Sequence, residues 1–215
     1  MRYLREKPVK IARFGRVCCG SVRVLLCLAV LFIVPACHMA QKEAPRTLTL
    51  QHAHTGEKLA VVYKENGCYK PAALKSINYF LRDIRTGDVV SVDPKLLDLL
   101  WQTRTNLNCT QPFYVLSAYR SPKTNEMLRK RSPNSGVAKK SLHMKGQAID
   151  VRLPGISAKK LRDTALALHA GGVGYYPDSG FVHIDTGNVR QWQTRSAKSK
   201  PALKAVLKPA PRPRK

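Results

Sequence analysis

A run of thirteen uncharged, mostly apolar residues, 24–36 (VLLCLAVLFIVPA), limits how much of this chain is available for folding. Seven lysines and arginines occur within residues 1–24. A basic stretch, a short apolar run and then a polar sequence are typical of a secretory signal. Thirteen residues are too few for a comfortable membrane span, which takes about 20. We therefore predict that residues 1–40 are a leader segment and that the protein is exported to the periplasm or cell envelope.

The end of the leader is compatible with three kinds of processing. Cys37 follows Val-Pro-Ala, which loosely resembles a lipoprotein signal, and would then be the lipidated first residue of a membrane-attached protein. An ordinary signal peptidase could instead cut after Ala40, and an uncleaved leader would act as a membrane anchor. The sequence leaves these three alternatives open.

The formal net charge of +25 is concentrated at the two ends of the chain. Residues 1–24 contribute +6 and residues 194–215 contribute +8. Basic segments often bind nucleic acid, but the leader counts against that function, and we expect no nucleic-acid partner. Residues 194–215 contain eight cations, four prolines and almost nothing to bury. They are therefore predicted to be a disordered tail that binds anionic polymers of the cell envelope.

Only two of the six cysteines, Cys68 and Cys109, lie outside the leader region. Two cysteines in an exported domain commonly pair, because that compartment is oxidising. Zinc binding by either one would need a second cysteine about two to four residues away, which neither has. The sequence therefore predicts a Cys68–Cys109 disulfide.

Between the leader and the tail, the pattern of apolar residues predicts helices mainly first and strands mainly last. Helices are predicted at residues 71–84, from Asp93-Pro94, at 123–131 and at 157–170. Strands are predicted at residues 47–52, 59–63, 113–118, 148–153, 173–176 and 181–185. This order indicates an α+β domain over residues 45–193, with a small, largely antiparallel sheet and flanking helices.

Two stretches, SLHMKGQAID and FVHIDTG, contain side chains that could bind a metal. His143 precedes a tight turn at Gly146, and Asp150 lies on the strand that follows, so the turn can bring the two together. His183 lies in mid-strand in an apolar setting, where a histidine needs a partner. Two imidazole nitrogens and one carboxylate oxygen form a catalytic zinc site with a fourth position open to water. The same three ligands also match the open iron(II) site of oxygenases, and spacing alone does not decide between the two metals.

Several further motifs occur in the same order as in a known family. Together with SAYRS at residues 117–121, the two stretches resemble the zinc D-Ala-D-Ala peptidase superfamily, which has the hedgehog/DD-peptidase fold. The chain is more closely similar to the exported YcbK-type murein endopeptidases, over roughly residues 45–193. The shared segments are LTL, HTGE, GVAKKS, KGQA, GGVGYYP and FVHIDTG.

This resemblance implies a role for each of five residues. His143, Asp150 and His183 would bind one zinc ion per chain. Arg120 would stabilise the oxyanion of a tetrahedral intermediate, a role that suits a fixed guanidinium. Ser141 would contact the substrate peptide. A structural ion pair is the alternative for Arg120.

The residue at the position of the general base differs from that of the superfamily, in which a glutamate lies three residues before the last ligand. Gly180 occupies that position here, and Asp185 is the nearest carboxylate. Strand alternation puts Asp185 on the same face as His183. Two roles are therefore open for Asp185, as the general base or as a residue that orients a metal ligand. The remaining histidines of the domain are interpreted as structural or remote from the chemistry: His52, His54 and His169.

The resemblance implies an enzyme that hydrolyses amide bonds in the stem-peptide cross-links of peptidoglycan. The cleaved bond would join two diaminopimelate residues, or D-alanine and diaminopimelate. A carboxypeptidase that removes terminal D-alanine is the near alternative. A domain that binds the cell wall without catalysis is a further alternative, from a different functional class. The three ligands argue against it, because binding alone does not need an open metal position.

Overall fold

The computed structural model describes residues 43–131 and 136–194. The predicted leader, with Cys37, and all but the first residue of the predicted basic tail lie outside the described residues. Within the described ranges, every helix is too short or too polar to cross a bilayer.

The described residues form eight strands, four α-helices and one short 3₁₀ helix. The strands are β1 (Arg46–His52), β2 (Lys58–Glu65), β3 (Cys68–Tyr69), β4 (Phe113–Ser117), β5 (Ala148–Arg152), β6 (Gly172–Tyr176), β7 (Phe181–Asp185) and β8 (Arg190–Gln193). The helices are α1 (Pro71–Phe80), α2 (Pro94–Asn106), α3 (Pro122–Lys130) and α4 (Ala158–Ala167), and the 3₁₀ helix spans Leu142–Lys145.

All eight strands belong to one mixed sheet with the order β3-β2-β1-β4-β5-β7-β6-β8. Five neighbouring pairs are antiparallel, whereas β1–β4 and β6–β8 are parallel. The predicted α+β class is confirmed, but the prediction of a small sheet is wrong. The sequence pattern did not predict β3 and β8, the short strands at the two edges. Neither shows apolar alternation, because an edge strand can form through backbone pairing alone.

One face of the sheet packs against helices. α4 lies on β6 and β7, and α2 lies on β1 and α4. The central strands turn four fully buried side chains towards this core: Ile149, Val151, Val182 and Ile184. Successive side chains of a strand point to opposite faces. Asp150 and His183, each one residue away from these apolar positions, therefore belong to the other face.

α1 ends at Phe80, four residues before the predicted end. The cause is Asp83, a buried residue whose carboxylate accepts hydrogen bonds from the backbone N–H groups of Arg85 (3.0 Å) and Ser121 (2.8 Å). The first bond closes a turn that is incompatible with a continued helix. The second bond ties this turn to the loop between β4 and α3, which carries Arg120.

The predicted disulfide is wrong, because Cys68 and Cys109 are both free in the structure. Cys68 lies on β3 opposite Glu65, whereas Cys109 lines a surface depression together with Thr49 of β1. Thr49 pairs with Ala60, which is five residues along β2 from Glu65. Five strand residues span about 17 Å. A disulfide bridges Cα atoms no more than about 7 Å apart, so this separation along the sheet is too large for one.

Asp98 of α2 joins the helix to three strands. Its carboxylate accepts hydrogen bonds from the hydroxyls of Tyr63 (2.8 Å) and Tyr69 (2.6 Å), and it forms ion pairs with Arg46 (3.0 Å) and Lys64 (3.3 Å). Burial alone would raise the pKa of Asp98. The two hydroxyls and the two cations outweigh burial and hold this pKa below its ordinary value.

We expect Asp98→Asn to lower the free energy of unfolding by about 2–3 kcal/mol at neutral pH, because it removes a charged acceptor from a part-buried network. The folded pKa is lower than the unfolded value of about 3.9. The stabilisation by Asp98 is thus present above that value and is lost as pH falls through the folded pKa. Urea unfolding at about pH 7 and about pH 2.5 should show the difference between variant and wild type shrinking in acid.

The matched control for this change is Asp163→Asn. Asp163 forms its ion pairs with Lys159 and Arg162 on the exposed surface of α4, where such pairs add little stability. This control should unfold like the wild type. Equal stability of Asp98→Asn and wild type at neutral pH would contradict the prediction.

Candidate metal centre

The structure brings the three predicted ligands together on the face of the sheet opposite the helices. His143 lies in the 3₁₀ helix, while Asp150 and His183 are directly opposed residues of β5 and β7. His183 Nδ1 lies 2.8 Å from Asp150 Oδ1 and 3.2 Å from His143 Nε2, and His143 Nε2 lies 3.4 Å from Asp150 Oδ1. All three residues are buried.

The turn that carries His143 is held at both of its ends. Ser141 precedes the 3₁₀ helix, and its hydroxyl accepts a hydrogen bond from the backbone N–H of His143 (3.3 Å). Gly146 ends the helix with a φ of 65°, and a Cβ there would lie 2.8 Å from the carbonyl oxygen of Ser91. Ser141 is itself buried. The structure shows the contact of this hydroxyl with the turn, and the predicted contact of Ser141 with substrate stays a prediction.

A second contact fixes the orientation of each histidine ring. His143 Nδ1 lies 2.6 Å from the carbonyl oxygen of Ala118, and His183 Nε2 lies 2.9 Å from Asp185 Oδ2. A carbonyl or carboxylate oxygen can only accept, so these two ring nitrogens carry the protons. When the two rings are neutral, the lone pairs of His143 Nε2 and His183 Nδ1 consequently face Asp150. Metal-binding histidines commonly show this pattern of outer hydrogen bonds.

Asp185 is fully buried, and both of its oxygens are occupied. Arg190 donates to both oxygens (2.7 and 3.0 Å), and the backbone N–H groups of Gly172 (3.1 Å) and Gly187 (2.8 Å) donate to Oδ1. Burial alone would raise the pKa of Asp185, but His183 and Arg190 hold it well below its ordinary value. Asp185 meets the ring nitrogen of His183 that faces away from Asp150. This position does not agree with a general base and fits the orienting role.

Arg120 forms the ion pair that was the alternative prediction for it. Its Nη2 donates to Asp150 Oδ2 (2.6 Å), and its Nε donates to the hydroxyl of Ser117 (2.8 Å). Its backbone N–H donates to the carbonyl oxygen of His143 (3.3 Å). Arg120 thus holds one ligand through its side chain and another through its backbone.

The electrostatics of the cluster keep Asp150 ionised. Burial alone would raise the pKa of Asp150, but His143 and His183 hold it well below its ordinary value. Burial lowers the pKa of His143 despite the attraction of Asp150. Burial would lower the pKa of His183 too, but its bonds to Asp150 and Asp185 raise it above the ordinary value. A cation that bound here would compete with the proton that the raised pKa of His183 favours, because a histidine binds a metal only through an unprotonated nitrogen.

These residues fit a zinc ion. In a tetrahedral site with bonds of about 2.0–2.2 Å, neighbouring ligand atoms lie about 3.3–3.6 Å apart. The separations of 2.8–3.4 Å found here are close to the lower end of that range. Within residues 43–131 and 136–194, His143, Asp150 and His183 are the group that could hold a metal. Three protein ligands leave a fourth position for water or substrate, as in catalytic rather than structural zinc sites.

The other histidines of the domain make contacts outside this cluster. His52 is buried, and its Nδ1 accepts hydrogen bonds from the backbone N–H groups of His54 (3.2 Å) and Thr55 (3.3 Å) in the turn between β1 and β2. His54 Nε2 lies 3.1 Å from the carbonyl oxygen of Leu116. His169 is exposed just beyond α4 and has a φ of 48°.

Three residues that support the cluster, Asp83, Ala118 and Arg190, and one that lies beside it, Trp192, were not identified from the sequence. Ala118 acts through its backbone carbonyl, for which a side-chain pattern contains no signal. Arg190 could have been recognised as the cation nearest to Asp185 in the sequence. Trp192 lies on β8, which was not predicted, and its ring centroid is 5.1 Å from that of His183.

In this α+β domain, a histidine from a 3₁₀ turn joins a histidine and an aspartate on the open face of the sheet, and such a ligand set is that of a mononuclear metal-dependent hydrolase. Residues 40–192 match the family model described as peptidoglycan L,D-endopeptidase MepK, and the chain belongs to this family of M15 peptidases. It is therefore a peptidase, and zinc dependence is a general property of M15 peptidases. The predicted resemblance is confirmed.

Two curated relatives show the extent of the similarity. The peptidoglycan L,D-endopeptidase MepK of Escherichia coli strain K12 is 44% identical over 164 residues, which cover 76% of this chain and 89% of the relative. The probable peptidoglycan L,D-endopeptidase MepK of Haemophilus influenzae is 42% identical over 156 residues, which cover 72% of this chain and 83% of the relative. No solved structure matches the chain at a significant level.

Proposed function

We propose that this chain is an exported zinc endopeptidase that hydrolyses amide bonds in the stem-peptide cross-links of peptidoglycan. The observation that carries the proposal is the convergence of His143 Nε2, His183 Nδ1 and an Asp150 oxygen within 3.4 Å of one another. The printed names of the relatives support peptidoglycan as the substrate. The L,D specificity in those names favours a bond between two diaminopimelate residues.

His143 Nε2, His183 Nδ1 and one oxygen of Asp150 would hold the zinc ion. Zinc in such a site supplies a water nucleophile at neutral pH and polarises the amide carbonyl. Ala118 and Asp185 keep the two rings in the tautomer that leaves their inner nitrogens free. This preorganisation matters because a misplaced ligand changes both the affinity for the metal and the position of the reacting groups.

Arg120 would act both as an anchor and as a donor. Its Nε and Nη2 are used for Ser117 and Asp150, which leaves the Nη1 amino group for a substrate oxygen that gains negative charge. The contact with Asp150 also balances the charge of that carboxylate.

We expect Arg120→Lys to keep stoichiometric zinc while its kcat falls by about tenfold. Lysine preserves the positive charge beside Asp150 but lacks the planar fork that could contact Asp150 and a substrate oxygen together. Elemental analysis and steady-state rates on a soluble cross-linked muropeptide would measure both quantities. Arg152→Lys is the control, because Arg152 is an exposed residue of the strand that carries Asp150. A wild-type kcat in Arg120→Lys would show that Arg120 is purely structural.

One experiment separates the candidate activities. Purified protein is incubated with intact sacculi and with three soluble substrates, with and without chelator, and the products are identified by mass spectrometry. The substrates are a diaminopimelate–diaminopimelate dimer, a D-alanine–diaminopimelate dimer and a monomer ending in D-alanine. Chelator-sensitive conversion of a dimer to monomers supports the proposal. Loss of only a terminal D-alanine would identify a carboxypeptidase, and retention on sacculi without cleavage would identify a binding module.

The charges at the two ends of the chain suggest where the enzyme works. We propose that the leader directs the protein to the periplasm or cell envelope. Either the uncleaved leader or a lipid on Cys37 would attach it to the membrane. The eight cations of residues 195–215, with no acidic residue among them, would attract the anionic polymers of that compartment. Such an attraction raises the local concentration of the enzyme on its substrate and weakens as salt is added.

A further inference from the structure

Trp192 lies beside the metal-binding cluster and is not part of the hydrophobic core. β8 is four residues long, and its other three side chains are exposed, whereas Trp192 is half-buried. Trp101, the other tryptophan of the chain, packs against the core formed by the sheet and the helices. Packing against the core therefore accounts for the position of Trp101 but not for that of Trp192.

The register of the sheet places Trp192 in line with two of the ligands. Asp150 opposes His183, His183 opposes Gly174, and Gly174 is the partner of Trp192. Residues opposed in this way project from the same face of a sheet. The indole reaches back over this row, and its plane is tilted by 51° from that of the His183 ring.

Gly174 makes the close approach of the indole possible. A Cβ at this position would lie 2.4 Å from Cε2, 2.5 Å from Cζ2 and 2.7 Å from Nε1 of Trp192. Any other residue would therefore push the indole off the sheet. The ring is further fixed because Nε1–H donates to the hydroxyl of Tyr176 (3.2 Å) and the Arg190 guanidinium lies 5.0 Å from its centroid.

Two further aromatic rings continue this surface. Tyr176 and Phe181 are opposed residues of β6 and β7, and their rings stack at 4.3 Å with an angle of 11°. Each is two residues along its strand from the row of Gly174 and His183, so both lie on the same face. Trp192, Tyr176 and Phe181, all half-buried, form an aromatic wall beside the metal-binding cluster.

We propose that Trp192 is a substrate-positioning residue whose indole contacts the alkyl side chain of the residue next to the scissile amide. The inference rests on the proposed peptidase function. Stem-peptide cross-links offer the methyl group of alanine and the methylene chain of diaminopimelate, both of which pack well on a rigid aromatic surface. Because the indole is held on three sides, this contact loses little conformational entropy and stabilises the bound peptide beside His183 throughout the reaction.

The test uses the full-length, zinc-loaded chain and a soluble cross-linked muropeptide dimer. Trp192→Ala should raise KM by about tenfold, while kcat changes by less than about threefold and zinc content stays at the wild-type value. Trp192→Phe, which keeps an aromatic surface above Gly174, should raise KM by only about threefold. Trp101→Phe is the control and should leave KM unchanged.

A supporting role for Trp192 in holding His183 predicts a different result. In that case Trp192→Ala would lose zinc, or would lose kcat with an unchanged KM, and either result would overturn the proposal. Should Trp192→Ala fail to fold, the KM of Trp192→Phe decides, and a wild-type KM there would count against the proposal.

An independent measurement leaves Trp192 in place. In the Trp101→Phe protein all tryptophan emission comes from Trp192, so adding the cleavage products should quench or shift that emission in a saturable way. An unchanged emission would overturn the proposal. If the wild-type chain does not cleave the dimer, the proposed peptidase activity fails, and the intact dimer becomes the titrant. A saturable change in emission without cleavage would then uphold the contact of Trp192 with the peptide.

Discussion

His143→Ala, Asp150→Ala and His183→Ala are each expected to fold, to bind no stoichiometric zinc and to cleave a cross-linked muropeptide at less than about one ten-thousandth of the wild-type rate. Each change removes one of three ligand atoms that lie within 3.4 Å of one another. Two remaining ligands bind zinc weakly, and the chemistry of the site depends on the metal. Elemental analysis, circular dichroism and product analysis would measure metal, fold and activity.

The three variants are expected to differ in stability. Asp150→Ala leaves the half-buried guanidinium of Arg120 without its carboxylate partner, so it should be the least stable of the three. His169→Asn is the control for loss of a histidine. His169 is exposed and has a φ of 48°, a conformation that asparagine tolerates better than alanine. Full zinc occupancy in any of the three ligand variants would remove that residue from the ligand set.

The convergence of His143 and Asp150 could be predicted from sequence because it depends on local features. A 3₁₀ turn that ends at Gly146 delivers His143, and the next strand delivers Asp150. His183 needed long-range information, since its pairing with Asp150 depends on the register of β5 and β7. The resemblance to a known family supplied that information, whereas the spacing of the residues alone did not.

Ser141 has a structural role that the sequence did not distinguish from a substrate contact. A serine two residues before a ligand is compatible with a substrate contact and equally with a cap on the turn. The structure shows the cap, because the backbone N–H of His143 needs an acceptor at the start of the 3₁₀ helix. The predicted disulfide is wrong because counting cysteines identifies a possible pair but not the distance between them. That distance depends on the order and register of β3, β2 and β1.

The role of Asp185 could not be decided from strand alternation. Alternation places positions 183 and 185 on the same face, but it does not say which nitrogen of the ring the carboxylate meets. In the structure, His183 directs Nδ1 across the sheet to Asp150 and Nε2 along its own strand to Asp185. Which nitrogen of His183 meets Asp185 depends on the side-chain rotamer of His183. This rotamer is supported by the groups that hold Asp185 in place: Arg190 and the N–H groups of Gly172 and Gly187.

Asp185→Asn is expected to lower the affinity for zinc by about 100-fold, the upper end of the effect seen when an outer hydrogen-bond partner of a ligand is lost. An amide has one oxygen and one NH₂ group, whereas Asp185 accepts hydrogen bonds at both oxygens. If NH₂ faces His183, the ring must move its proton to Nδ1, and the lone pair towards Asp150 is lost. If NH₂ faces the other way, it meets the N–H groups of Gly172 and Gly187 instead.

This substitution distinguishes the two roles of Asp185 because they predict opposite dependences on zinc. An orienting residue acts through affinity, so the kcat of Asp185→Asn should recover to within about tenfold of the wild type once zinc is saturating. A general base acts in the chemical step, so its loss would leave zinc affinity unchanged and depress kcat at every zinc concentration. Competition with a chromophoric chelator measures the affinity, and rates across a zinc titration measure the recovery. Asp163→Asn, an exposed change on α4, should match the wild type in both. Wild-type zinc affinity combined with a persistently low kcat would restore Asp185 as the base, despite its burial behind His183.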